Sequence, residues 1–155
     1  MENLNSNLSE DTRNAVSKAL YQIVAETTVT TMLAQNFHWN VTGMAFGPLH
    51  DLFQKIYEDH FEAQDELAER MKSLGSYVDG RLSNMLELSK VSECKEKISD
   101  VEMIKSMLNA QETLALTISG ASDIAATNGD KLTEDLCVER GRIHEKFAWI
   151  LRSHL

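Results

Sequence analysis

One proline, Pro48, and seven glycines are all that this chain of 155 residues offers to break a helix. A β-sandwich or barrel of this length needs a turn about every 8–12 residues and draws on both residue types to make them. With so few breakers the sequence predicts an all-α fold, and its length suits one hydrophobic core rather than two. No stretch approaches the run of about 18 apolar residues that a membrane span requires.

Helix signals follow one another along the chain. Residues 1–8 are polar and read as a flexible tail; residues 9–155 read as a single domain. Ser9 is a good N-cap, with Glu10 and Asp11 placed where a helix dipole favours acids. Val16, Leu20, Ile23, Val24, Thr27, Thr31 and Ala34 then recur at helical spacing, giving a first helix over about 9–37. His38 to Gly43 breaks that period and reads as a turn. Pro48 suits a first helical position, and a second helix with Leu49, Leu52, Phe53, Ile56, Leu67 and Met71 runs to about Ser73, where Gly75 ends it. Weaker signals at Leu82, Met85 and Leu86 mark one short helix inside a long connection. Ser99 and Glu102 form a capping box, and the third long helix runs from there to Thr127 before an Asn128-Gly129 stop. Asp130 caps the last, which carries Leu132, Leu136, Ile143, Phe147 and Ile150. Four long helices and a 25-residue connection between the second and third predict an up-down-down-up four-helix bundle.

Charge and cysteine usage narrow the function. Twenty-four acids against fifteen bases leave a net charge of −9, which makes cations the natural guests and nucleic acid a poor one. Two cysteines, Cys94 and Cys137, and an N-terminus without an apolar leader fit free thiols in a reducing cytoplasm. No Gly-x-Ser-x-Gly, Cys-x-x-Cys or phosphate loop is present. The chemistry must come from histidines and carboxylates. A dimetal bundle usually shows Glu-x-x-His on two helices, aiming both ligands inward; this chain has no Glu-x-x-His at all.

The second helix offers another arrangement. At about 100° per residue, His50, Gln54, Glu58, Asp65 and Glu69 share an arc of roughly 100°. That is either an ordinary solvated face or half of a site. His50 and Asp65 lie fifteen residues apart, roughly 22 Å along a helix, so they cannot hold one ion within one chain. Two copies of the helix packed antiparallel about a two-fold axis would bring the His50 end of one to the Asp65 and Glu69 end of the other, with His38 closing in from the first helix. The axis then falls near residues 59–60, with His60 expected beside its symmetry mate. Two imidazoles and two carboxylates suit iron, zinc or manganese better than magnesium or calcium; redox work on iron and structural zinc are both open.

The motif residues resemble one family closely. His38-Trp39-Asn40-Val41-x-Gly43, then Phe46, Leu49-His50, Phe53, Tyr57 and Asp65-x-x-Ala68-Glu69-Arg70 resemble the signature of the Dps proteins, the mini-ferritins. Gly129-Asp130-x-x-Thr133-x-Asp135-Leu136 and His144-Glu145-Lys146-x-x-Trp149-x-Leu151-Arg152 resemble that family's last helix. The resemblance implies a ferritin-like bundle assembled as a hollow homo-dodecamer that protects against oxidative stress. Such a cage oxidises Fe(II) with hydrogen peroxide at ferroxidase sites shared between subunits and stores the ferric mineral inside. Carried over, His38, His50, Asp65 and Glu69 match metal-binding and catalytic positions, and zinc is an alternative occupant. Asp130 and Asp135 match the region lining the pores through which iron enters; without the resemblance they read as an N-cap and a first-turn acid. Trp39 reads either as a shield of the site or as a packed interface aromatic.

Two departures matter. The family usually carries Asp where this chain has Gln54, a poorer iron ligand, with Glu58 one turn along as the available support. The alternative function is therefore a ferroxidase-impaired cage acting as a structural or passive metal-sequestering shell. The family's lysine-rich tail is also missing: Met1 to Thr12 holds acids but no Lys or Arg, so DNA is not expected as a partner. His144 and Trp149 are expected to be packing residues of the last helix, His154 to be exposed, the methionines to fill the core, and both cysteines to be inert.

Overall fold

The computed structural model describes residues 6–155 and consists, among them, of five helices: α1 (Glu10–Asn40), α2 (Phe46–Ser73), α3 (Leu82–Leu88), α4 (Asp100–Thr127) and α5 (Lys131–Arg152). Most of the expected tail, residues 1–5, lies outside the described part. Its last residue, Leu8, packs on the core and accepts a bond from Arg13 Nη1 at 2.8 Å.

The caps fall where the sequence puts them at three starts. Ser9 accepts from the Thr12 amide, Ser99 and Glu102 form the reciprocal capping box, and Asp130 accepts from the Thr133 amide. The turn between α1 and α2 is where the expectation needs correcting. α1 continues through His38, Trp39 and Asn40, because the Asn40 side chain bonds the Asn36 carbonyl at 2.8 Å and the Val41 amide bonds Phe37 at 2.9 Å. Val41, 2% exposed, then plugs the core as the C-cap. The turn is shorter than read, and Gly43 makes it with φ of 101°, a region L side chains rarely enter. α2 starts at Phe46, so Pro48 is its third residue; it is tolerated there because first-turn amides have no intrahelical partner.

Cross-links between ends fix the topology. Thr12 at the start of α1 bonds Asn128 beyond the end of α4, and Arg70 near the end of α2 pairs with Asp130 at the start of α5. The helices therefore run up, down, down and up, as the long connection required. That connection is tied across α1 by Tyr21 to the Asp79 carbonyl and by Gln22 to the Leu88 carbonyl, at 2.8 and 2.7 Å.

The core comes in two apolar halves. One gathers Phe37, Leu49, Phe53, Ile56, Met107 and Leu151; the other gathers Leu20, Ile23, Leu67, Met71, Leu114 and Ile118. Several residues expected inside are on the surface of the single chain: Leu82, Leu86, Leu132, Trp149, Met32 and Met44. Met32, Trp39, Leu82 and Leu86 rim a groove of about 400 Å³ with Met85 and Cys94 at its floor. A periodicity argument places a residue on an apolar stripe but not inside the boundary of one chain.

Candidate metal centre at the α1–α2 corner

The extension of α1 through His38 and the early start of α2 bring two imidazoles face to face. The rings of His38 and His50 stack with centroids 3.7 Å apart and planes 19° from parallel. Each Nδ1 lies 2.9 Å from the other residue's backbone carbonyl oxygen. A carbonyl can only accept, so each ring carries its proton on Nδ1 and leaves the Nε2 lone pair free. Fixing the tautomer by bonding the other ring nitrogen is how metal-binding histidines are usually prepared. Phe46 stacks on the outer face of His50 at 5.1 Å, and Tyr57 meets His38 edge-on at 5.3 Å.

A metal binds an imidazole nitrogen at about 2.0–2.1 Å, and the lone pair it meets lies in the ring plane. Two nearly parallel rings with centroids 3.7 Å apart cannot both point their in-plane lone pairs at one such ion. As stacked, the pair addresses two neighbouring positions, one per ring. Gln54, half-buried one turn beyond His50, donates from Nε2 to Glu58 Oε1 at 2.7 Å. This assigns its amide: the nitrogen faces the carboxylate and the carbonyl oxygen is the free end.

Asp65 and Glu69 are exposed at the far end of α2. Among the described residues of one chain, no three His, Cys, Asp or Glu side chains come together to hold a metal ion. Glu69 lies instead in an acidic cleft along the α2–α5 seam, with Glu66, Asp135 and Glu139. Asp135 is exposed. Asp130 is 3% exposed, its carboxylate engaged by Arg70 Nη2 at 2.8 Å and by the Thr133 amide and hydroxyl at 3.1 and 2.6 Å. Trp39 is 64% exposed beside His38.

His60 requires a correction. It is fully buried inside the bundle, against Asp59, Gln111 and His144, and cannot reach a symmetry mate. Its helical phase shows why: seven residues after Phe53, it falls on the apolar stripe. The large residue at the middle of the His50–Glu69 face is Phe61, about 20° from Gln54 in phase and 69% exposed.

Antiparallel α1–α2 and α4–α5 pairs, a crossover connection and ligand-type residues on a flank of α2 define a ferritin-like protein. The ferritin-like domain matches residues 17–155. The chain is 33% identical to the DNA protection during starvation protein of Brevibacillus brevis, covering 90% of this chain and 94% of that one. Dps from Staphylococcus aureus superposes with a TM-score of 0.88 at 33% identity, covering 90% of this chain and 94% of that one. The Dps protein from Vibrio cholerae O1, described as a member of a broad superfamily of ferritin-like diiron-carboxylate proteins, gives 0.91 at 26% identity, covering 99% and 98%. The chain belongs to the Dps family.

Proposed function

We propose that this protein oxidises Fe(II) with hydrogen peroxide at sites shared between two subunits, and keeps the ferric product inside a homo-dodecameric cage. Membership of the family carries iron storage and protection in general terms; the ferroxidase step is the finer reading. The observation that carries it is the His38–His50 pair, tautomer-locked with both Nε2 atoms free. It sits at one end of a helix face whose other end holds Asp65 and Glu69. A second α2 laid antiparallel brings the two ends together, and the exposed Phe61 at the centre of that face supplies apolar area for such a contact.

In this reading each imidazole addresses one Fe(II), and Asp65 and Glu69 of the other copy supply the negative charge. Two Fe(II) each lose one electron to one hydrogen peroxide; its O–O bond breaks, and two protons complete two waters. Delivering both electrons at one place avoids the one-electron cleavage that releases hydroxyl radical. Asp135, exposed on the seam beside Glu69, is the residue we assign to the iron pore, with Asp130 holding the start of α5 in shape. Free thiols at Cys94 and Cys137 suit a reducing cytoplasm. Among the described residues no helix is long and apolar enough to cross a membrane.

The test is anaerobic addition of Fe(II) followed by peroxide, read by ferric absorbance. Oxidation faster than a protein-free control supports the enzyme. No difference leaves the passive shell, which the neutral Gln54 favours, as the function.

A further inference from the structure

Between the two apolar halves of the core lies a layer of polar side chains that iron chemistry does not use. Asp59 and His60 of α2, Gln111 of α4, and Arg140 and His144 of α5 form it; the last four are 0, 0, 5 and 1% exposed. Their hydrogen bonds make a closed circuit. His60 Nδ1 donates to Asp59 Oδ2 at 2.9 Å, and His60 Nε2 accepts from Gln111 Nε2 at 3.0 Å. Gln111 Oε1 accepts from His144 Nδ1 at 2.7 Å, and His144 Nε2 faces Arg140 Nη2 at 3.4 Å. Arg140 returns to Asp59 through Nη1 and Nη2 at 3.1 and 2.6 Å.

The direction of every link is forced. Arg140 can only donate and the Asp59 carboxylate can only accept. His144 must then take a hydrogen bond at Nε2 and give one at Nδ1, which turns the Gln111 oxygen toward it and its nitrogen toward His60. The circuit closes only while both imidazoles are neutral. A proton added to His144 Nε2 sets donor against donor at Arg140, and leaves two cations facing the one carboxylate in a buried layer.

We propose that this circuit is a proton-operated latch on the α2–α5 seam: it holds the seam shut while His144 is neutral and releases it when His144 is protonated. The groups facing His144 are His60 and Asp59 from α2, Gln111 from α4, and Arg140 from its own helix. From α1 the buried carboxylate is Glu26, with one oxygen bonded by Gln22 at 2.8 Å and the other without a hydrogen-bond partner. Burial, with Arg140 nearby and, for His144, His60 beside it, holds both histidines below their ordinary pKa. The seam depends on such ties, because among the described residues Asp59–Arg140 and Arg70–Asp130 are the two ion pairs across it. The acidic cleft holding Glu66, Glu69, Asp135 and Glu139 opens along the same line. The latch stands whether or not the ferroxidase reading holds.

Hydrogen exchange by mass spectrometry on the assembled protein, from pH 8 to pH 5 and corrected for intrinsic rates, tests it. Peptides around 53–63 and 137–147 should open more as pH falls below about 6.5, by up to about tenfold per pH unit for each histidine involved. Peptides at 10–25 should not follow. His144→Gln keeps a donor and an acceptor without a titration and should remove its share of the dependence, leaving only that of His60. Gln111→Glu can close the circuit only with one added proton, carried by its own carboxyl or by His60, so its seam should be better protected at pH 6 than at pH 8. A wild-type seam indifferent to pH, or a Gln111→Glu seam that loosens in acid as the wild type does, overturns the latch.

Discussion

His38 and His50 hold each other by the same bond made twice: the Nδ1–H of each ring donates to the other's backbone carbonyl at 2.9 Å. Each tautomer is therefore fixed by a backbone carbonyl, and each ring's orientation by its stacked neighbour. Substituting either one by Ala keeps the carbonyl but removes the stacked ring, so it should remove one of two binding positions and loosen the other. Calorimetric titration with Co(II), which peroxide-free buffer leaves unoxidised, should show about half the wild-type stoichiometry and weaker remaining binding. The initial Fe(II) oxidation rate should fall at least about tenfold. Full stoichiometry in both variants would remove the pair from the site.

Sharing between subunits has its own signature. A chain lacking both imidazoles (His38→Ala with His50→Ala) and a chain lacking both acids (Asp65→Asn with Glu69→Gln) should each be inactive. Co-expressed, they should recover part of the oxidation rate, because each mixed dimer rebuilds one complete site and one empty one. No recovery in verified mixed assemblies would place the ligands within one chain.

Gln54 is held by Glu58, its Nε2 donating to Oε1 at 2.7 Å. The neutral amide therefore brings an oxygen without a charge. Gln54→Asp should raise the initial oxidation rate and tighten Co(II) binding; an unchanged rate would show that position to be irrelevant.

Asp130 is a stability residue of the single chain. Burial alone would raise its pKa, but bonds from the Thr133 hydroxyl and amide and from Arg70 outweigh that and hold it below its ordinary value. A carboxyl depressed in the fold stabilises above its unfolded pKa of about 3.9 and loses that contribution as pH falls through the folded value. Asp130→Ala should lower stability at pH 7 by about 3 kcal/mol, from the lost cap and the buried Arg70 pair. Urea unfolding should show the difference from wild type shrinking toward pH 3.

Nucleic acid should not bind. Twelve copies would carry twelve times the −9 of one chain, and phosphate contacts need a surplus of bases. A gel-shift assay at about 150 mM salt, near physiological ionic strength, should show no retardation; a retarded band would reveal a basic surface that composition conceals.

The helices and their caps were legible because they are local. Ser9, Ser99 with Glu102, and Asp130 act on amides three residues away, so the sequence contains both partners. The separation of His50 from Asp65 was equally legible, since rise per residue is fixed once the helix is granted. Placement relative to neighbouring helices was harder. The antiparallel pairing of α2 puts His60 near an external axis, whereas its phase with Phe53 and Ile56 points it inward; a histidine on an apolar stripe is the signal in the sequence. Leu82, Leu132 and Trp149 went the other way, apolar by pattern and exposed in one chain.

The amino-acid sequence by itself determined that this protein is a bundle of long helices, where three of the four begin, and that His50 and Asp65 lie too far apart on one helix to meet within one chain, because those properties depend on spacing along one axis. The tertiary structure decided which nitrogen each histidine offers, which end of Gln54 is free, and that Asp59, His60, Gln111, Arg140 and His144 close into a circuit. Apart from the Gln54–Glu58 bond, one turn along the same helix, those outcomes turn on partners 12 to 81 residues away in the chain. Only the packing of one helix on another brings such partners within hydrogen-bond range.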